Sequence, residues 1–164
     1  MESLHQLMLE YKKQMERGAV AKAYRGLMDY LMALRTQLQK KHPDFFLSSS
    51  LYQGYMDMTY FAFTPRSLQQ KKLKIAIVFV HDSCRFEAWL AAANKQVQAK
   101  YWKWFKESGW NPSSLVATIK GADAILETVL VDDPDFTDVN GLNKKIEGAA
   151  LKWIKEVEAF LAGH

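Results

Sequence analysis

His81, Asp82, Cys84, Arg85 and Glu87 crowd into seven residues, HDSCRFE, that directly follow the apolar run KIAIVFV. The end of a strand is a rigid support from which ligand-facing side chains emerge. Read as a strand-to-helix corner, the segment has a definite chemistry. Asp82 or Ser83 caps the helix by accepting from its free amides. Cys84 then lies in the first turn, where partial positive charge favours a thiolate. His81 stands by as the base of a Cys–His pair. The plain structural reading uses the same residues: a cap, a space-filling Cys84, and Arg85 paired with a nearby carboxylate.

Asp57, on the strand before, adds a second possibility. Asp57, Asp82 and Glu87 would suit a hard divalent cation if neighbouring strands brought their carboxylates together. The four histidines (His5, His42, His81 and His164) lack zinc-ligand spacing, so no metal site is assigned. CxxC, HExxH, GxSxG and phosphate-loop patterns are all absent. No catalytic residue and no cofactor is therefore assigned. Asp57, His81, Asp82, Arg85 and Glu87 form the candidate ligand-binding set. Two aromatic groups also have binding chemistry. Tyr52, Tyr55, Tyr60 and Arg66 could line a small-molecule pocket, although sheet packing would use the same tyrosines. Tyr101, Trp102, Trp104 and Trp110 lie among Lys100, Lys103 and Lys106, the mixture that stacks bases and holds phosphates. An ideal helix spreads residues 101–104 around its circumference, so only some of them could form such a platform.

The elements that must position these groups can be read from periodicity. Leu4, Leu7, Met8, Tyr11 and Met15 mark one helical face, and Gly18 breaks or kinks it. Val20, Tyr24, Leu27, Met28, Leu31, Leu34 and Leu38 mark a second helix, which Pro43 stops. YQGYMDMTYFAF predicts one or two strands, with Tyr55, Asp57, Thr59 and Phe61 sharing a face. RSLQQKKL is a polar, basic connection, and KIAIVFV an interior strand apolar on both faces. A long helix is expected from Ser83 or Cys84 to Lys106, with Phe86, Leu90, Ala93, Val97 and Tyr101 facing inward. SLVATI and AILETVLV predict two more strands around a KGAD turn. The last helix spans about Leu142–Leu161. The expected fold is one α+β domain over residues 1–164, a mixed central sheet packed by long amphipathic helices.

A chain of 164 residues, 49% hydrophobic and 24% charged, is long enough to fill one core. Residues 1–111 carry 17 Lys/Arg against 9 Asp/Glu, and residues 112–164 carry 5 against 9. A basic part of this size favours a small anionic or polar ligand. A nucleic-acid partner is not the expectation but stays open, and the amphipathic terminal helices leave room for a homo-oligomer. The opening residues do not form a basic segment followed by an apolar stretch and a cleavage site. IAIVFV is far too short to span a bilayer as a helix. No membrane association is expected, and the single cysteine fits a reducing compartment, so a cytoplasmic location is the default.

Two resemblances bear on function. The helix–strand–strand–strand–helix order loosely resembles the core of restriction-endonuclease-like proteins, where an Asp is followed on the next strand by Asp/Glu-x-Lys. In KKLKIAIVF, Lys72 and Lys74 are present, but Gln70 and Lys72 occupy the positions where the acid would stand. The resemblance thus lacks its nuclease motif. Separately, GYMDMTYF and RFEAWLAAANKQVQAKYW, with LVDDPDF and the terminal helix, resemble a family of small uncharacterised bacterial proteins. That likeness covers nearly the whole chain and implies one intact soluble domain, with no activity to carry over. The expected function is a small binding or regulatory domain with a polar pocket. A hydrolase-like enzyme, nuclease-like or Cys-based, and a protein-interaction module are the competing readings.

Overall fold

In the computed structural model, which describes residues 1–112 and 114–163, five helices pack with one six-stranded antiparallel sheet. Helix α1 (Leu4–Arg17) starts at a capping box in which Ser3 and Gln6 each bond the other's backbone N–H. Gly18, at φ 79°, ends α1 and begins α2 (Ala19–Lys41). A residue without a Cβ takes this left-handed geometry at no steric cost. Pro43 follows the end of α2 closely, as the sequence predicts.

Strands β1 (Phe46–Leu47) and β2 (Tyr52–Gln53) both pair with one edge of β3 (Met58–Thr64). The polar connection RSLQQKKL contains a short helix, α3 (Arg66–Gln70), before β4 (Leu73–Val80). β4 is the interior strand expected from KIAIVFV, paired on both sides.

The main departure comes next. The chain does not enter a helix at Ser83 or Cys84. It turns at residues 81–84 and runs back as β5 (Arg85–Ala92), in register with β4 from Val80↔Arg85 to Leu73↔Ala92. Helix α4 (Lys95–Ser108) starts at Lys95 instead of Ser83 or Cys84, capped by Asn94, whose side chain accepts from Val97 N at 2.9 Å. Phe86 and Leu90 fit both periods, four apart for a helix and alternate for a strand. FEAWLAAA has good helix formers, but the unpaired edge of β4 offers eight residues of ladder, and tertiary pairing overrides propensity.

β6 (Leu126–Val131) completes the sheet beside β5. SLVATI is not a strand; only Leu115 makes an isolated bridge, to Leu126. The long helix α4 lies between β5 and β6 in the chain, yet each pairing in the sheet expected to be mixed is antiparallel. The last helix, α5 (Val139–Ala162), begins at Asp138, whose carboxylate accepts from Gly141 N at 3.0 Å.

The core lies on one face of this sheet. Phe61 and Phe63, Ile75, Ile77 and Phe79, and Phe86 and Leu90 meet Leu31, Leu34 and Leu38 of α2 and the Leu142–Leu161 stripe of α5. Phe105, Trp104 and Trp110 close one end by stacking on Phe160 at 4.7–5.3 Å. Among the described residues, no helix is long and apolar enough to cross a membrane.

Candidate functional site

Successive residues of a strand point to opposite faces of a sheet. The turn at 81–84 therefore decides which of the candidate residues can meet. His81 continues the alternation of Ile75, Ile77 and Phe79 and turns toward the helices. Its ring stacks on Tyr24 of α2 at 5.9 Å, meets the edge of Phe79 at 5.2 Å, and shares a 2.9 Å hydrogen bond from Nε2 to Thr59 Oγ1. Burial holds its pKa below the usual 6.5, against the opposing pull of the Asp57 charge. Arg85 is the cross-strand partner of Val80 and so stands on the other face.

The candidate set is thus divided. Asp57 and His81 come together at one end of the hairpin, where His81 N donates to Asp57 O at 2.9 Å. Asp57 also works locally: its carboxylate accepts from Met58 N at 2.8 Å and fills the space beside Gly54, where no Cβ would fit. Asp82 is exposed in the turn and caps no helix. Arg85 and Glu87 face away from this pair, so Asp57, Asp82 and Glu87 do not converge. Among the described residues no three His, Cys, Asp or Glu side chains are placed to hold a metal ion. Cys84 also differs from its expected setting. It sits at φ 49° in the hairpin turn and not in the first turn of a helix, and its thiol donates to the backbone oxygen of His81 at 3.3 Å instead of meeting the imidazole.

The second face of the sheet carries a different arrangement, assembled from side-chain size. At its middle three of four paired positions are alanine: Ala62 lies opposite Ala76, and Ala91 opposite Lys74. Tyr60 and Trp89 rise beside this floor. Tyr52 extends the Tyr60 wall as its cross-strand partner, with the rings stacked at 4.8 Å and 25°. Lys74 Nζ lies 5.2 Å from the centre of the Tyr60 ring, a cation–π contact. Small residues between large ones leave a hollow of about 220 Å³, lined by Tyr52, Tyr60, Lys74, Ala76, Trp89 and Asp123 among others. Burial, and then the Asp123 charge, raise the Tyr60 pKa. Beyond Lys74 a second hollow of about 340 Å³ runs from Phe46 and Thr64 to Gln69 and Lys72.

Trp89 joins the aromatic hollow to a polar one. Its indole N–H donates to Glu87 Oε1 at 2.8 Å, while Arg85 Nε donates to Glu87 Oε2 at 2.7 Å. Both oxygens of the buried carboxylate are therefore held. Arg85 reaches on to Asp132 at 3.4 Å. Arg85, Glu87 and Glu127, with Ser114–Val116, line this third hollow of about 220 Å³. The Glu127 carboxyl is pushed above its usual range by burial and by the neighbouring Glu87 charge, with Arg85 pulling the other way.

Of the other aromatic candidates, Tyr52 and Tyr60 meet, whereas Tyr55 is 96% exposed at the tip of its turn and Arg66 is exposed at the start of α3. Trp102 donates to Val116 O at 2.8 Å, and Trp104 and Trp110 stack on Phe160, so these rings hold α4 against its surroundings. Sequence reasoning missed Lys74, Ala76, Trp89 and Asp123. The visible signal was the alternation of Arg85, Glu87, Trp89 and Ala91 against Phe86, Ala88 and Leu90, which spells a two-faced strand.

The chain belongs to a family described as a domain of unknown function (DUF7000), whose model matches residues 4–161. No curated protein and no solved structure matches it.

Proposed function

We propose that this member of the family is a small binding domain whose site is the aromatic hollow on the face of its sheet opposite α2 and α5. The observation that carries the reading is an alanine floor, Ala76 with Ala91, between walls of Tyr60 with Tyr52 and Trp89. Stacking surfaces accept a flat ligand, and a few polar groups at the rim set its orientation. Here the rim offers the Lys74 ammonium and the Asp123 carboxylate. The ligand is a small planar ring compound with an anionic or hydrogen-bond-accepting edge for Lys74 and a donor for Asp123. Of the residues expected to share a polar pocket, Arg85 and Glu87 anchor Trp89 from the neighbouring hollow, while Asp57 and His81 lie on the other face of the sheet.

The test is a screen of planar fragments by NMR, with chemical shifts read at the Trp89 indole and the Ala76 and Ala91 methyls. Bound fragments are expected to move these signals and to lose at least about tenfold in affinity in Tyr60→Ala and in Lys74→Ala. Fragments that bind elsewhere, or that bind Tyr60→Ala as well as the native chain, would overturn the assignment.

A further inference from the structure

Not one residue of α1 is buried, although the helix is amphipathic. Leu4, Leu7, Met8, Tyr11 and Met15 are between 43% and 74% exposed. At 100° per residue they fall within an arc of about 100°, the width of a stripe that normally faces a core. A helix of 14 residues without packing is marginal in water. An exposed apolar stripe of this width marks an interaction surface.

The charges say which kind. Lys12 pairs with Glu16 at 4.0 Å, and Gln14 donates to Glu10 at 2.7 Å, so α1 satisfies much of its own polar surface. With Glu10 and Glu16 among its lysines, it lacks the basic polar face of helices that lie on anionic membranes. Along its length the charge changes sign. Residues 2–10 carry Glu2 and Glu10, while residues 11–17 carry Lys12, Lys13 and Arg17 against Glu16 alone. Two such helices side by side repel if parallel and attract if antiparallel.

The spacing agrees. Leu4, Met8, Tyr11 and Met15 are separated by four, three and four, a pattern that reads the same in both directions. An antiparallel copy centred between Leu9 and Glu10 brings Leu4 level with Met15, and Met8 level with Tyr11. The five side chains offer roughly 500 Å² per copy, so a pair buries about 1,000 Å², the lower bound of a specific interface.

We propose that α1 is the contact of a two-fold symmetric homodimer, two α1 helices lying antiparallel with Leu4 and Met8 of one copy against Met15 and Tyr11 of the other. An isologous contact of this kind is closed and stops at two copies. It is independent of the sheet-face site, which α1 does not line.

Sedimentation of the full chain from about 1 to about 500 µM tests this, with circular dichroism melting as the check on folding. The expected result is a monomer–dimer equilibrium, weakened at least about tenfold by Met8→Lys. Met8→Lys chains mixed with Tyr11→Glu chains are expected to recover the dimer, because the new charges come level. A monomer at every concentration would overturn the proposal, and so would a dimer indifferent to Met8→Lys. Failure of the mixture to pair would overturn the antiparallel register. Flotation of the monomer with phosphatidylglycerol vesicles would reassign the stripe to a membrane surface.

Discussion

Replacing Arg85 by Met removes the cation that holds Glu87 while keeping most of the aliphatic bulk. The Glu87 side chain is 7% exposed and that of Arg85 35%. Deleting one partner of a fully buried ion pair costs about 3–5 kcal/mol, since the other charge is left without compensation. Two features lower that figure here. Trp89 still donates to Glu87 Oε1 at 2.8 Å, and the open position of Arg85 lets water reach the Oε2 side, where solvent screening weakens the pair from the start. The distant contact to Asp132, itself 80% exposed, adds little. The expected loss is about 2 kcal/mol, which for a domain of this size lowers Tm by roughly 4–8 °C. Urea unfolding followed by tryptophan fluorescence measures it, with a constant slope confirming two-state behaviour. Arg85→Met with Glu87→Gln is expected to recover at least half the loss, because the neutral amide keeps an acceptor for Trp89. A cost below about 0.5 kcal/mol for Arg85→Met, or a double variant no better than the single, would refute the view that a buried carboxylate organises this face.

Other substitutions probe the rest of the fold. Because burial depresses the His81 pKa in the folded state, the unfolded chain takes up the proton first. Stability is therefore full above pH 6.5 and falls as pH drops through that value toward the folded pKa, and His81→Gln is expected to flatten this part of a pH–stability curve. Asp57→Asn removes a charge that raises the His81 pKa, so the acid loss should deepen. The buried indole N–H of Trp153 has no acceptor; Trp153→Phe is expected to leave stability unchanged or raise it by up to about 1 kcal/mol in thermal unfolding. Asn94→Ala takes away the cap that starts α4 and is expected to cost about 1 kcal/mol by urea titration.

Helices α1, α2 and α5 were legible because their stripes have one period and clear stops: Gly18, Pro43 and the residues after Leu161 lie close to the observed ends. The hairpin at 81–84 was not. Phe86 and Leu90 satisfy two periods at once, and the deciding information, the free edge of β4, lies in another segment. That single misreading also decided how the site was seen. In a strand-to-helix corner, His81 and Arg85 share a surface. In a hairpin that pairs Val80 with Arg85, they stand on opposite faces. The tyrosines of the second face were visible as Tyr52 and Tyr60, but their floor was not, since alanines signal nothing until register places them opposite one another. The exposure of α1 was equally hidden, because a stripe covered by the chain's own core and one covered by a second copy have the same spacing.

The outer edge of β6 carries acidic residues at its margin. Beyond the Leu115 bridge near its start, this strand lies at the margin of the sheet, and LETVLV is rich in the β-branched and apolar residues that recruit further strands. Glu127 breaks its outward row, and Asp132, Asp133 and Pro134 follow at its end. A carboxylate pair repels its own copy, and a proline cannot extend a ladder. Two such edges brought side by side would set these carboxylates against each other.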